Sequence, residues 1–307
     1  MIVNQSNATA AARGFKAIFV KFFASVVESL FYPKICQTVT TNAGSVEYNW
    51  LAAIPGMKEL KGAAEKIGLE LIVWVITNKK WHDTVEVDEA DMENDNLGLY
   101  NQRFEMLADA GARHPDELAA AALLNGFTAV DYTGTAFFHT AKKHFPGVKG
   151  TFSNKLTTAL AAASYEDARE LIKTAKIVFP DNRETKLKLG KELTLIVGPA
   201  LEKTALQILN ADMVNEGGVA VSNVNKGTAK LEVWSELGDS VAWFLVDTGN
   251  PLKPLVYQVN KPVTLNSVTN PQDSYVLLNH KFLHQAFGRY QVGYFLPQLI
   301  VGSTGGA

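Results

Sequence analysis

The 307-residue chain carries one cysteine, Cys36. An internal disulfide framework is therefore excluded, and the composition fits a reducing compartment. A lone cysteine of this kind reads as a small buried hydrophobe. Surplus positive charge is also missing: 29 Lys and Arg stand against 31 Asp and Glu, for a net charge of −2. A protein that grips nucleic acid by counterion release carries excess basic residues on one face, and the balance here demands no such role. No segment approaches the roughly 18 uncharged apolar residues of a membrane span. Lys21 and Glu28 interrupt the apolar stretch near the N-terminus, and no small-x-small cleavage site follows it cleanly. A secretory leader is not expected.

Catalytic and metal-binding signatures are equally scarce. No G-x-S-x-G elbow occurs, and Cys36 lacks a recognisable nucleophile context. Gly147-Val148-Lys149-Gly150-Thr151 resembles a phosphate loop only superficially, because the spacing and the Gly-Lys-Ser/Thr ending are absent. Asp88, Glu89, Asp91, Glu93 and Asp95 form the densest charge cluster. Their spacing fails the calcium-loop pattern, and a solvated turn that caps a helix is the expected role. His280 and His284 are four apart, but Lys281 stands where a zinc protease needs glutamate; His139 and His144 fall on different helical faces. The five tryptophans are scattered and form no stacking platform. No catalytic, cofactor or metal residue is assigned.

What the chain does have is 47% hydrophobic residues, enough for a substantial core, and a length that suggests two domains or one with extensions. Phe15, Ile18, Phe19, Phe22, Phe23, Val26, Val27 and Leu30 follow helical spacing and predict an amphipathic helix that packs on protein rather than lipid. Residues 69–76 (LELIVWVI) and 84–87 read as strands around a polar turn at Asn78-Lys79-Lys80, suggesting a projecting β-hairpin. A helix is predicted over 97–112, with a kink or restart at Pro115 and an end at Asn125-Gly126. Residues 132–154 look like a loop. Ser164 opens an expected capping box, LTLIV at 193–197 is a buried strand, and Pro199 starts another helix. From Leu231 on, LEVW, VAWFLVD, LVYQV, VTL, SYVLL and FLPQLIVG read as short strands. The class is α+β.

Several short motifs occur in a distinctive order along the chain. They are Met1-Ile2-Val3-Asn4-Gln5, Asn49-Trp50-Leu51 with Ile54-Pro55-Gly56-Met57, Thr84-Val85-Glu86-Val87-Asp88, Asp95 to Gly98 with Tyr100, and His114-Pro115-Asp116-Glu117-Leu118. Gly198-Pro199-Ala200-Leu201-Glu202 and Trp243-Phe244-Leu245 with Lys253-Pro254-Leu255 continue the series. Their shared order resembles the Mu-like phage major head subunit, the gpT family of tailed-phage capsid proteins, of whose more polar stretch no counterpart is found over 137–154.

The resemblance implies the tailed-phage major capsid fold. Its parts would be an N-terminal arm (1–50), an extended hairpin loop (58–82), a peripheral domain (83–192 and 248–307) with a spine helix at 97–125, and an axial domain (193–247). It implies a structural, non-catalytic subunit without cofactors, forming hexamers and pentamers of itself. The icosahedral shell would enclose double-stranded DNA without reading its sequence, would not engage a membrane, and would be assembled in the host bacterial cytoplasm with scaffold and portal proteins. A detached arm and a projecting apolar hairpin would need a neighbouring subunit to cover them. Phe15, Phe19, Phe22, Val26, Leu30 and Trp74 are accordingly the expected assembly interface. Two other readings remain open: a bacterial nanocompartment shell of the encapsulin type with the same fold, and an enzyme with an unrecognised site in the 132–154 loop.

Overall fold

The computed structural model describes residues 4–48, 74–94, 97–146, 148–178, 184–216 and 219–306. Two sheets and two long helices organise them. The first sheet has four strands in the order Cys36–Thr40, Leu255–Ser267, Lys281–Tyr294, Lys79–Asp88. The first pair is parallel and the other two are antiparallel. Along Lys281–Tyr294 burial alternates without a break: Phe282, His284, Ala286, Tyr290 and Val292 point inward and their neighbours are half-exposed. That is the period of a pleated strand with one face on a core. The Leu255–Ser267 strand shifts register between Val259 and Thr264, around Pro262, whose missing N–H cannot join the ladder.

The second sheet has five strands, ordered Lys230–Val233, Leu193–Val197, Trp243–Asp247, Ile300–Ser303, Lys155–Leu156. Its three inner strands, Leu193–Val197, Trp243–Asp247 and Ile300–Ser303, are buried at every residue, which is why the first two read as nearly continuous apolar runs. Leu195, Val197, Trp243 and Leu245 share a core with Tyr165 and Ile172 of the helix Ala162–Lys173 and with Ala205 and Leu209 of the helix Glu202–Asn210. Ile196, Phe244, Val246 and Ile300 join the other core, with Phe137, Phe138 and the long helix.

That long helix runs unbroken over Asn101–Asn125 after a 3-10 turn at Leu97–Tyr100. Pro115 lies inside it, so the expected restart does not occur. The lost hydrogen bond is offset by burial on both sides of the proline: Ala112, Asp116, Ala119 and Ala120 are all in the core. The N-terminal helix, Gln5–Val27, is capped by Asn4, whose side chain accepts from the Asn7 N–H. It lies along the long helix, with Phe15 stacked on Phe104 at a centroid distance of 4.2 Å. Leu265, Phe282 and Ala286 of the four-stranded sheet complete this core.

Several sequence expectations are corrected. The predicted hairpin does not pair with itself: Val75–Thr77 pairs with Ser45–Glu47, while Lys79–Asp88 joins the four-stranded sheet beside Lys281–Tyr290. Residues 69–73 lie outside the described residues. SYVLL is not a strand but the helix Ser274–Asn279, capped by Asp273. Ser164 is not the N-cap; it sits in the first turn of a helix that starts at Ala162, and its hydroxyl accepts from the Ala161 N–H. The tail strand Ile300–Ser303 joins the five-stranded sheet between Trp243–Asp247 and Lys155–Leu156. Extended apolar segments pair where long-range packing places them, and local patterning carries no record of that choice.

His284 is buried where the N-terminal helix meets the sheet. Its ring makes edge contacts with Phe15 and Phe104 at 5.4 and 5.2 Å, and its Nδ1 is 2.8 Å from the Ser267 hydroxyl. Burial pushes its pKa down from 6.5 to about 4. An unfolded chain takes up this proton near pH 6.5 and the folded one only near 4, so stability falls as pH drops through that window. The expected loss is on the order of 3 kcal/mol at the acid end. Thermal midpoints of the wild type and His284→Gln between pH 7 and pH 4 check this: the variant should show the shallower decline. His114 and His144 are shifted in the same direction by burial.

Candidate assembly surface

The residues expected to meet a neighbouring subunit are covered within the chain. Phe15, Phe19, Val26 and Leu30 are buried and Phe22 is half-buried, all against the long helix and its surroundings. Helical spacing shows which face seeks cover but not what provides it. Trp74 is half-buried and packs against both central cores, and its carbonyl accepts from the Tyr48 N–H at 2.9 Å. It therefore belongs to the body of the subunit as well.

Tyr48 and Trp74 are the last described residues on either side of 49–73, and they meet at one point. Gln258, fully buried in the four-stranded sheet, fixes that point. Its carbonyl accepts from the Tyr48 hydroxyl at 2.8 Å, and its amide donates to the Ile76 carbonyl at 3.0 Å. Gly293 makes room for Ile76, because a Cβ there would lie 2.5 Å from the isoleucine Cδ1. Tyr48 and Trp74 are thus held together by a clamp built on the sheet.

A second hub sits midway along the long helix. The Asp116 carboxylate accepts from the Tyr32 N–H at 2.6 Å, the Phe31 N–H at 3.2 Å and the Trp234 indole at 3.3 Å. These donors belong to the exit of the N-terminal helix and to the turn after the edge strand of the five-stranded sheet. One carboxylate therefore ties both to the helix. Its negative charge also contributes, after burial, to raising the Tyr32 phenol to about 12 and the Cys36 thiol well above its ordinary value. In sequence Asp116 stands out only as a member of the His114–Leu118 motif.

The loop after the long helix is a packed layer. Phe137 and Phe138 are fully buried, and Asn154 donates to the Phe137 and Pro297 carbonyls. Lys142 is fully buried and 2.7 Å from Asp131; it also donates to the carbonyls of Ala136 and Thr135. Burial pushes the ammonium pKa down and Asp131 opposes it. Lys142→Met is expected to cost about 3 kcal/mol by stranding a buried carboxylate. The double variant with Asp131→Asn should regain part of that in urea unfolding.

The histidine and acidic clusters take structural roles. His280 is the left-handed cap that ends the helix Ser274–Asn279, and His284 is on a strand, so the pair does not share a helical face. Asp88 accepts from the Ala90 N–H and Asp91 from the Tyr100 hydroxyl. Asp95 lies outside the described residues. Among the described residues no group of three or more His, Cys, Asp or Glu is placed to hold a metal, and no helix is long and apolar enough to cross a membrane. The outer surface carries large apolar residues that the chain leaves exposed, among them Val20, Leu99, Met106, Met213, Val224 and Leu278.

The profile of the family described as "Mu-like prophage major head subunit gpT" matches residues 9–159, 151–237 and 234–306. The Mu-like prophage FluMu major head subunit of Haemophilus influenzae is 24% identical over 289 residues, covering 92% of this chain and 71% of that protein. The major capsid protein of Escherichia phage Mu is 28% identical, with 66% of this chain and 89% of that protein covered. The procapsid subunit of bacteriophage JBD30 shares the fold, with a TM-score of 0.57 and 24% identity over 96% of this chain and 75% of its own. The α+β arrangement is therefore the tailed-phage major capsid fold. The protein is a major capsid subunit, a component of the virion shell built from copies of itself. Matched along nearly its whole length, the chain belongs to the Mu-like prophage major head subunit gpT family.

Proposed function

We propose that this head subunit closes an icosahedral shell as hexamers and pentamers around double-stranded DNA, in the host bacterial cytoplasm, with scaffold and portal proteins as partners and no catalytic step of its own. The observation that carries this is the match to the gpT family across the chain. The near-neutral charge of −2 supports a container that does not grip its contents along their length.

In this reading the four-stranded sheet and the helix Asn101–Asn125 are the peripheral domain and its spine, and the five-stranded sheet is the core of the axial domain. Residues 58–82 are the extended loop, of which 58–73 lie outside the described residues, and residues up to about 50 are the arm. Assembly should then rest on 49–73 and on the exposed outer residues, not on the buried arm stripe.

The contents of purified particles test the proposal. Co-expression with the neighbouring head genes is expected to give closed particles that protect DNA from nuclease. Particles that hold a docked enzyme and no DNA would point to a nanocompartment shell instead.

A further inference from the structure

A pocket of about 180 Å³ lies between the long helix and the strand Lys79–Asp88. Small residues open it: Ala110 and Gly111 on the helix, Ala286 and Gly288 on the sheet. Gly288 is needed there, since a Cβ would come within 2.6 Å of the Tyr290 ring. Trp81, His114 and Tyr290 form the aromatic wall.

Most of their polar atoms are spent on one another. The Trp81 indole donates to the Tyr290 carbonyl at 3.0 Å, and the Tyr290 hydroxyl is 2.9 Å from His114 Nδ1. The Trp81 and His114 ring centroids are 4.3 Å apart. The wall is thus locked and offers mainly π surface. Burial holds His114 below its ordinary value, so it brings no positive charge near neutral pH.

The full charges lining the pocket are two carboxylates, Asp83 and Glu117, both on exposed residues. Neither is engaged by a cation among the described residues. The charge of Glu117 helps to raise the Tyr290 phenol, which places it close to the aromatic wall. The pocket opens beside a larger groove of about 720 Å³ that shares Asp83, Leu107 and Ala110 and displays exposed Met106. An aromatic wall with carboxylates and no cation is complementary to an ammonium or guanidinium group.

We infer that this pocket receives a lysine or arginine side chain of a neighbouring copy of the chain, seated on Trp81, His114 and Tyr290 and paired with Glu117 and Asp83. The inference rests on the shell-forming reading, which supplies the neighbouring copy.

The test uses full-length protein assembled with its head partners. A reconstruction of the wild-type particle is expected to show a basic side chain of the adjacent subunit in the pocket. Glu117→Lys should lower closed-particle yield about tenfold or more through like-charge repulsion, with the subunit's circular dichroism and thermal midpoint unchanged. Glu117→Asp should keep yield within about twofold of wild type. Particles whose pocket is empty or filled by an apolar side chain, or wild-type yield from Glu117→Lys, would overturn this inference alone. Absence of particles from the wild-type chain would overturn the shell-forming reading together with it.

Discussion

A chain lacking residues 1–30 is expected not to fold cooperatively. The family resemblance implies a detached N-terminal arm covered by a neighbouring subunit; in the structure the N-terminal helix is a wall of its own subunit's core. Phe15, Phe19, Val26 and Leu30 are buried, and Phe104, Leu107, Leu265 and Phe282 lie in the core that the helix closes. Fully burying a side chain of this size contributes about 1.5–3 kcal/mol, so the four together supply roughly 6–12 kcal/mol. Domains of this kind have about 5–15 kcal/mol in total. Exposed Phe104 and Phe282 would also favour aggregation. Circular dichroism melting of the truncated chain checks this. A sharp transition near the wild-type midpoint would show that the body stands without the helix.

Asp116→Ala is expected to be the most damaging single substitution, at about 5 kcal/mol. It leaves the Phe31 and Tyr32 N–H groups and the Trp234 indole without their acceptor in a buried site, and each stranded donor costs about 1–3 kcal/mol. Asp116→Asn keeps one acceptor oxygen and should fall between wild type and alanine. Urea unfolding of the three proteins orders them. If Asp116→Ala lost less than about 1 kcal/mol, the carboxylate would not be a hub for these elements.

The parts of the fold that were legible in sequence are those with a period. The helix from Gln5 to Val27 and the long helix both show their buried stripe, and the strands at Leu193 and Trp243 show unbroken apolar runs. Pairing was not legible. Residues near 69–76 and 84–87 are close in sequence, and neighbouring strands often pair. Gln258 instead draws Ile76 toward Tyr48, and the second strand goes to Lys281–Tyr290. Residues 277–288 read as strand or bend as easily as helix, because His284 is polar and Gly288 has no side chain, which masks the alternation of Lys281–Tyr294. Asp116, Gln258 and Lys142 share one feature: each is a polar residue whose role depends on donors or acceptors far along the chain or deep in a core. Composition marks such residues as surface until the fold is known. The cover of the N-terminal stripe was not legible for the complementary reason, since an apolar face satisfied by its own chain looks the same in sequence as one awaiting a neighbour.

The most direct measurement is an electron cryo-microscopy reconstruction of particles formed by the full-length protein with its head partners. A closed icosahedral shell is expected, with this chain in both hexamers and pentamers and with Phe15 and Phe19 packed inside their own subunit. A protein that stays monomeric or forms only small oligomers when those partners are supplied would contradict the account.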